Sequence, residues 1–308
     1  MYQIFKNGGF QWIDVKQAKK ADLEFLKKNF DFQLKDLRAS LPSVSAQRLK
    51  IKRYDHYCFI IFRFPHYNEN EGTILVEEID FFLGKNFLVS VHNGFLPRFN
   101  EIINICKKDS ATLKEYLKKE PGNLLFEILE QLLKSCFPIL DKISWDVSRL
   151  EEFIYQGKQQ EGITDIMRIK RNVITFRRIM QSHKNVIRRL AQTEGSFFIS
   201  EALRSKFNSL IQKTKDIWEI LESHKEMIEA LEYTNDSILS YKTNEIIKTL
   251  TMFSVTIFQM TLLATIFSMR ANGGMPFLNN PYNFWIIIGL MLTIILSMLL
   301  LFKKKRWF

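Results

Sequence analysis

The chain has 308 residues, 46% of them hydrophobic, and a formal net charge of +11. That length allows one large domain or two smaller ones, and that apolar content supports a packed core and excludes a disordered chain. The excess of Lys and Arg points to an acidic partner, nucleic acid or anionic lipid, and where the charge lies decides between them.

In chain order, "MYQIFKNGGFQWIDV" lacks the apolar stretch of a signal peptide, so the N-terminus is expected in the cytoplasm. Residues 1–120 mix strands and helices and read as a cytosolic α/β domain. "HYCFIIFRF" (56–64), "ILVEEIDFFLG" (74–84) and "NFLVSVH" (86–92) are rich in aromatic and β-branched residues and bounded by turn signals, as strands are. "AKKADLEFLKKNF" (18–30) repeats its apolar residues at helical spacing. From about residue 122 the pattern is helical, running to Gly157. Residues 121–199 are expected to form a helical hairpin of the cytosolic domain.

The stretch 168–189 carries Arg168, Lys170, Arg171, Arg177, Arg178, Lys184, Arg188 and Arg189, with only Asp165 nearby as an acid. It is either a solvated face or an electrostatic control on nearby ions. Residues 200–249 run without Pro or Gly into an apolar stretch and read as a stalk helix. A helix from 200 to 268 would be about 100 Å long at 1.5 Å per residue, so it needs neighbours, in a bundle or an oligomer.

Two runs, 250–269 and 284–302, carry no charge and are each long enough to cross a bilayer as a helix. The connecting segment 270–283 is rich in Gly, Pro and Asn and reads as a turn. Lys303, Lys304, Lys305 and Arg306 follow the second run, and Lys242 and Lys248 precede the first. The connection holds only Arg270. Positive residues favour the inside, which predicts a two-pass protein of the cytoplasmic membrane with both termini cytoplasmic and 303–308 as a basic lipid-anchoring tail. The charge is then explained by lipid, and nucleic acid is not expected as a partner.

Enzymatic chemistry finds no support. The five histidines form no close-spaced metal or triad motif, and neither a P-loop nor a dinucleotide fingerprint is present. Cys58, Cys106 and Cys136 are too scattered for a disulfide framework or zinc site and read as reduced core residues. No cofactor is expected.

"TNEIIKTLT" (243–251) resembles the Thr-Asn-Glu-x-Met-Lys-x-Leu-Thr segment of the CorA family of magnesium and divalent-cation channels. "WIDV" (12–15) resembles the family's opening strand. "NFDFQLKDLRASLPSVSAQRLKIKRYDHYCFIIFRF" (29–64) is similar to its helix–Gln-Arg-x-Lys–strand region, and "FFLGKNFLVSVH" (81–92) to its Leu-Gly-x-Asn-Phe-Leu-x-Thr-Val-His hairpin. The resemblance covers nearly the whole chain in the same order. It implies an α/β cytosolic domain, a long stalk helix and two C-terminal transmembrane helices in a funnel-shaped homopentamer. Five first spans would line an axial pore for Mg²⁺ or another divalent cation, which is cargo or regulator rather than cofactor.

On the first span, Asn244, Ile247, Thr251, Ser254, Phe258, Thr261, Thr265 and Ser268 recur at steps of three and four and form one stripe that collects most of the hydroxyls. Such a stripe suits the water shell of an ion. Ser and Thr can equally bond back to carbonyls of the preceding turn or pack between helices. Ile247, Leu250 and Phe258, on or beside the stripe, would be apolar constrictions of the kind that gate by dewetting.

The family's Gly-Met-Asn signature is missing. It aligns either with Ser268-Met269-Arg270, the preferred placement, followed by Met275-Pro276, or with Gly274-Met275-Pro276. Arg270 has donors but no acceptor. Five such charges about 8 Å from an axis would repel a divalent ion by about 5 kcal/mol at the dielectric of water, less with salt and outward snorkelling. Alternatively, Arg270 reaches lipid phosphate at the interface. Where the family's regulatory stalk aspartate is expected the chain has Tyr233, with Asp236 one turn away. Two further readings follow: a CorA-like channel of altered selectivity, monovalent or anionic, and a non-conducting structural or regulatory homologue.

Overall fold

The computed structural model describes residues 2–7, 10–41, 50–117, 120–157, 159–191, 200–269, 281–305 and 307. Contacts divide the chain into two units, Met1–Glu232 and Tyr233–Phe308.

The first unit is built on a six-stranded sheet of β1 (Tyr2–Asn7), β2 (Phe10–Lys16), β3 (Lys50–Arg53), β4 (Tyr57–Asn68), β5 (Thr73–Gly84) and β6 (Phe87–His92). Their spatial order is β1-β2-β6-β5-β4-β3. β2 and β6 pair in parallel and the other neighbours are antiparallel. The three sequence-predicted strands are β4, β5 and β6. The short strands β1 and β3 are the sheet's two edges and carry less of the apolar signal. The β5–β6 hairpin closes where the Phe87 ring lies over Gly84. A Cβ on Gly84 would stand 2.3 Å from that ring.

Alternation along the strands sorts side chains to two faces. Ile13, Val15, Phe59, Ile61, Phe82, Val89 and Val91 face α1 (Lys20–Phe30) and α2 (Leu34–Ala39), where Leu23, Leu26, Phe32 and Leu37 complete the cluster. Trp12, Asp14, Ser90 and His92 lie on the opposite face. There Trp12 Nε1 donates to Ser90 Oγ at 3.0 Å and Ser90 Oγ donates to Asp14 Oδ1 at 2.7 Å. His92 Nε2 stands 3.4 Å from Asp14 Oδ2, and Phe99 of α3 (Pro97–Lys108) meets the His92 ring edge-on. This buried chain joins β2 to β6 and leaves the Asp14 carboxylate partnered, as burial requires.

Helices α4 (Ser110–Leu117), α5 (Pro121–Lys134), α6 (Cys136–Tyr155), α7 (Gln159–Met180) and α8 (His183–Ala191) follow α3. The helical run from 122 to Gly157 is two helices, and the segment expected as one hairpin holds four. The break falls at Ser135 because Pro138 has no N–H for the Lys134 carbonyl. α9 (Glu201–Ser268) enters this unit through Leu203, Phe207, Leu210, Thr214, Ile217, Leu221, His224, Ile228 and Leu231, all buried and spaced by alternating fours and threes. Their 3.5-residue period is that of a packed helical seam.

Three of the eight basic residues read between 168 and 189 are paired within this unit. Arg168 reaches Asp165 at 3.0 Å and Asp146 at 3.3 Å, Lys170 pairs with Glu232 at 2.6 Å, and Arg177 pairs with Glu222. Arg177 also lies 5.0 Å over the Trp218 ring. Paired and part-buried, these three residues fit neither a solvated face nor charge held free for passing ions.

Two buried titratable groups sit on either side of β4. Burial pushes the His183 imidazole down to about 4, with Nε2 held 2.6 Å from the Arg63 carbonyl. Burial pushes the Asp80 carboxyl up to about 8, and the neighbouring Glu78 adds to the shift while Ser40 and Arg63 oppose it. Its Oδ1 and the Arg63 Nη2 are both buried without a hydrogen-bond partner.

Between the unfolded carboxylate value near 4 and the folded value near 8, the native state holds a proton that the unfolded chain has released. Stability therefore falls as pH rises across that window, by about 1.4 kcal/mol per unit at most. Asp80→Asn is expected to raise the apparent Tm at pH 8 more than at pH 5. An equal change at both pH values, in thermal unfolding of the purified chain, would contradict a protonated Asp80.

Candidate ion-conduction path

The second unit contains the C-terminal part of α9 and α10 (Asn283–Lys304), and both helices are long and apolar enough to cross a membrane. Leucine, isoleucine, phenylalanine and methionine supply their apolar surface, and the backbone groups inside each helix bond within it, as hydrocarbon demands. On α9, Met252, Thr256, Gln259, Met260, Leu263 and Phe267 are half-buried and lie on one side. On α10 the half-buried positions include Ile286, Ile287, Met291, Ile294, Ile295, Met298 and Phe302.

The stripe singled out in the sequence lies largely on the uncovered side of α9. Asn244, Ser254, Thr261, Thr265 and Ser268 are exposed and Thr251 is half-buried. Ile247, Leu250, Phe258 and Met269 are also exposed, Phe258 to 71%. An open groove of about 490 Å³, lined by Met260, Thr261, Ala264, Thr265, Ser268 and Met291, runs along one edge of this face. Thr256 and Gln259 are the polar residues of the half-buried side, and Ser254, Thr261, Thr265 and Ser268 lie on the exposed one.

Each threonine hydroxyl of the stripe donates to the carbonyl four residues back. The distances are 2.7 Å for Thr251 to Ile247, 2.9 Å for Thr261 to Ile257 and 2.7 Å for Thr265 to Thr261. The back-bonding alternative therefore holds, and it does not remove the stripe from use. A hydroxyl has one hydrogen and two lone pairs. With the hydrogen engaged by the backbone, what remains on the outer side is an acceptor.

Asp236 is exposed on the same helix and has no ion pair among the described residues. Lys303, Lys304 and Lys305 are exposed at the end of α10. Arg270, Gly274, Met275, Pro276 and Arg306 lie outside the described residues. Among the described residues, no group of three or more His, Cys, Asp or Glu side chains is placed to hold a metal ion.

The native thiols offer a quiet background for probing this face. Cys58, Cys106 and Cys136 are buried, and burial pushes all three thiols up, Cys58 to about 12 and Cys106 to about 11. Ser254→Cys and Thr265→Cys are expected to react with a charged, membrane-impermeant methanethiosulfonate at least about tenfold faster than Leu263→Cys. Equal rates in membrane vesicles would mean that the stripe is not hydrated.

Residues 7–304 match the family model described as "CorA-like Mg2+ transporter protein". The chain is 24% identical over 299 residues to the putative metal ion transporter YfjQ of Bacillus subtilis, covering 96% of this chain and 89% of that protein. It is 24% identical over 261 residues to the cobalt/magnesium transport protein CorA of Thermotoga maritima, covering 85% and 73%. The solved CorA magnesium transporter of Methanocaldococcus jannaschii superposes with a TM-score of 0.83 at 20% identity, covering 99% of this chain and 93% of that one. With an α/β unit, one helix that continues into an apolar span, and a second apolar helix after it, the chain belongs to the CorA-like Mg²⁺ transporter family.

Proposed function

We propose that this protein passively transports Mg²⁺ or another divalent cation through an axial pore lined by α9 of a homopentamer. It would sit in the cytoplasmic membrane with both termini inside, segment 270–283 outside and residues 303–308 at lipid head groups. The boundaries of the stalk (200–249), the spans (250–269 and 284–302) and the two cytosolic segments (1–120 and 121–199) belong to the same reading. Support comes from family membership and from relatives named as magnesium or cobalt transporters.

The observation that carries the reading is the back-bonded threonine stripe. A hydrated cation turns the hydrogens of its water shell outward, and Mg²⁺ keeps that shell tenaciously. A lining of acceptors suits this shell, whereas an anion needs donors. Thr251, Thr261 and Thr265 are already oriented as acceptors, so no reorganisation accompanies passage. The same point argues against the anionic alternative. Ile247, Leu250 and Phe258 would form apolar rings that close by dewetting. Asp236 would be the stalk carboxylate exposed to regulatory cytosolic cation.

The decisive experiment is Mg²⁺ influx into liposomes containing the purified protein and an internal fluorescent reporter, with a CorA of known activity as control. Saturable influx blocked by cobalt hexammine is expected. Absence of influx with intact oligomers and a working control would end the assignment.

Two substitutions refine it. Thr261→Val together with Thr265→Val preserves shape and removes the acceptors, so influx is expected to fall about tenfold, roughly 1.4 kcal/mol of barrier, with little change in Tm. Unchanged influx would show that the stripe does not touch the ion's shell. Arg270→Asn is expected to increase influx if Arg270 stands at the pore mouth. Unchanged influx would place Arg270 elsewhere and favour Gly274-Met275-Pro276 as the altered signature.

A further inference from the structure

A cavity of about 650 Å³ opens in the first unit between the end of β4, the start of α3 and the α5–α6 junction. Its walls are apolar at Pro65, Leu96, Leu132, Pro138 and Ile139. Its size falls within the range of small-molecule sites.

Arg98 is the fixed cation of this cavity. Its Nε and Nη2 both donate to Gln131 Oε1, at 3.2 and 2.7 Å, and its Nη1 donates to Glu101 Oε2 at 2.8 Å. Three of five guanidinium hydrogens are thereby engaged, which holds the fork in place and leaves donors for a ligand. Glu101, paired with Arg98 at the exposed rim, and Glu69 are the carboxylates of the lining. Lys134 also lines the cavity, 3.5 Å from Glu130.

The wall at Tyr67 continues into a ladder of cations and rings. Lys142 Nζ lies 5.4 Å from the Tyr67 ring centroid and 5.5 Å from that of Trp145. Arg149 lies 5.5 Å from Trp145 and 5.0 Å from Phe153. Neither Lys142 nor Arg149 has a carboxylate partner among the described residues. Both cations are held on ring faces and remain free to meet an anion, while Trp145 stays 56% exposed.

We propose that this cavity binds a small organic anion, a carboxylate or phosphate on an apolar body, with Arg98 of the lining and Lys142, which lies over the lining residue Tyr67, taking the charge and Leu132, Pro138 and Ile139 the body. Nothing in the transport reading uses these residues. The site has a physical route to the stalk helix, because its α5–α6 frame grips α9 through Glu130 to Lys213 and through Ser144 Oγ, 2.7 Å from His224 Nε2.

The test is isothermal titration calorimetry of phenyl phosphate into the full-length protein in nanodiscs, with empty nanodiscs as blank. Inorganic phosphate and benzyl alcohol serve as the charge-only and body-only probes. Saturable binding of phenyl phosphate is expected, at least about fivefold tighter than either probe alone and weakened about fivefold or more by Arg98→Gln and by Lys142→Gln. Lys215→Gln, on an exposed face of α9, should change nothing. Three results would overturn the proposal: no saturable heat with the native protein, equal binding of benzyl alcohol, or unchanged affinity in both cavity variants when their oligomer profile is native.

Discussion

Everything in this molecule hangs on a single uninterrupted helix. Between Glu201 and Ser268 there is no proline or glycine, so nothing removes a backbone hydrogen bond or relaxes the turn. The same backbone serves two solvents. Up to Leu231 it buries a 3.5-period seam against the α5–α7 helices, where Phe207, Leu210, Ile217, Leu221 and Ile228 each contribute about 1.5–3 kcal/mol. Beyond Leu250 it is an apolar span whose hydrogen bonds must all be internal.

That constraint explains the threonines. In hydrocarbon a hydroxyl without a partner is costly, and the nearest acceptor is always the carbonyl four residues back. Thr256 and Thr293 make the same bond away from the proposed pore face, to Met252 and Gly289. Thr214, Thr243 and Thr249 make it too, before the apolar span begins, so the bond is a general habit of helical threonine that the span also uses. Its effect differs by place: at half-buried Thr256 it silences the hydroxyl, and at exposed positions it leaves lone pairs turned outward.

The α/β unit handles polar burial differently. Trp12, Ser90 and Asp14 satisfy one another in a chain across β2 and β6 that His92 joins through Nε2, its Nδ1 being left without a partner. Asp36 is fully buried yet accepts from Tyr54 at 2.5 Å and pairs with Lys52. Asp80 is the buried acid that stays incompletely satisfied, since an oxygen is left unpartnered and burial holds the proton on. A sheet interior with one incompletely satisfied acid is less stable in alkali than one without it.

The primary sequence determined the two spans, their hydroxyl stripe, strands β4 to β6 and the family. These depend on periodicity, on runs of apolar residues or on short contiguous motifs, all of which are local. It did not show β1 and β3, whose identity comes from pairing with Phe10–Lys16 and Tyr57–Asn68 rather than from their own few residues. Nor did it show that Arg168, Lys170 and Arg177 of the basic stretch pair with Asp146, Glu232 and Glu222, or that Arg98, Gln131 and Tyr67 frame one cavity. The tertiary structure alone decided these, because charge pairing and cavity shape depend on distances between residues tens of positions apart. No local pattern of amino acids encodes such distances.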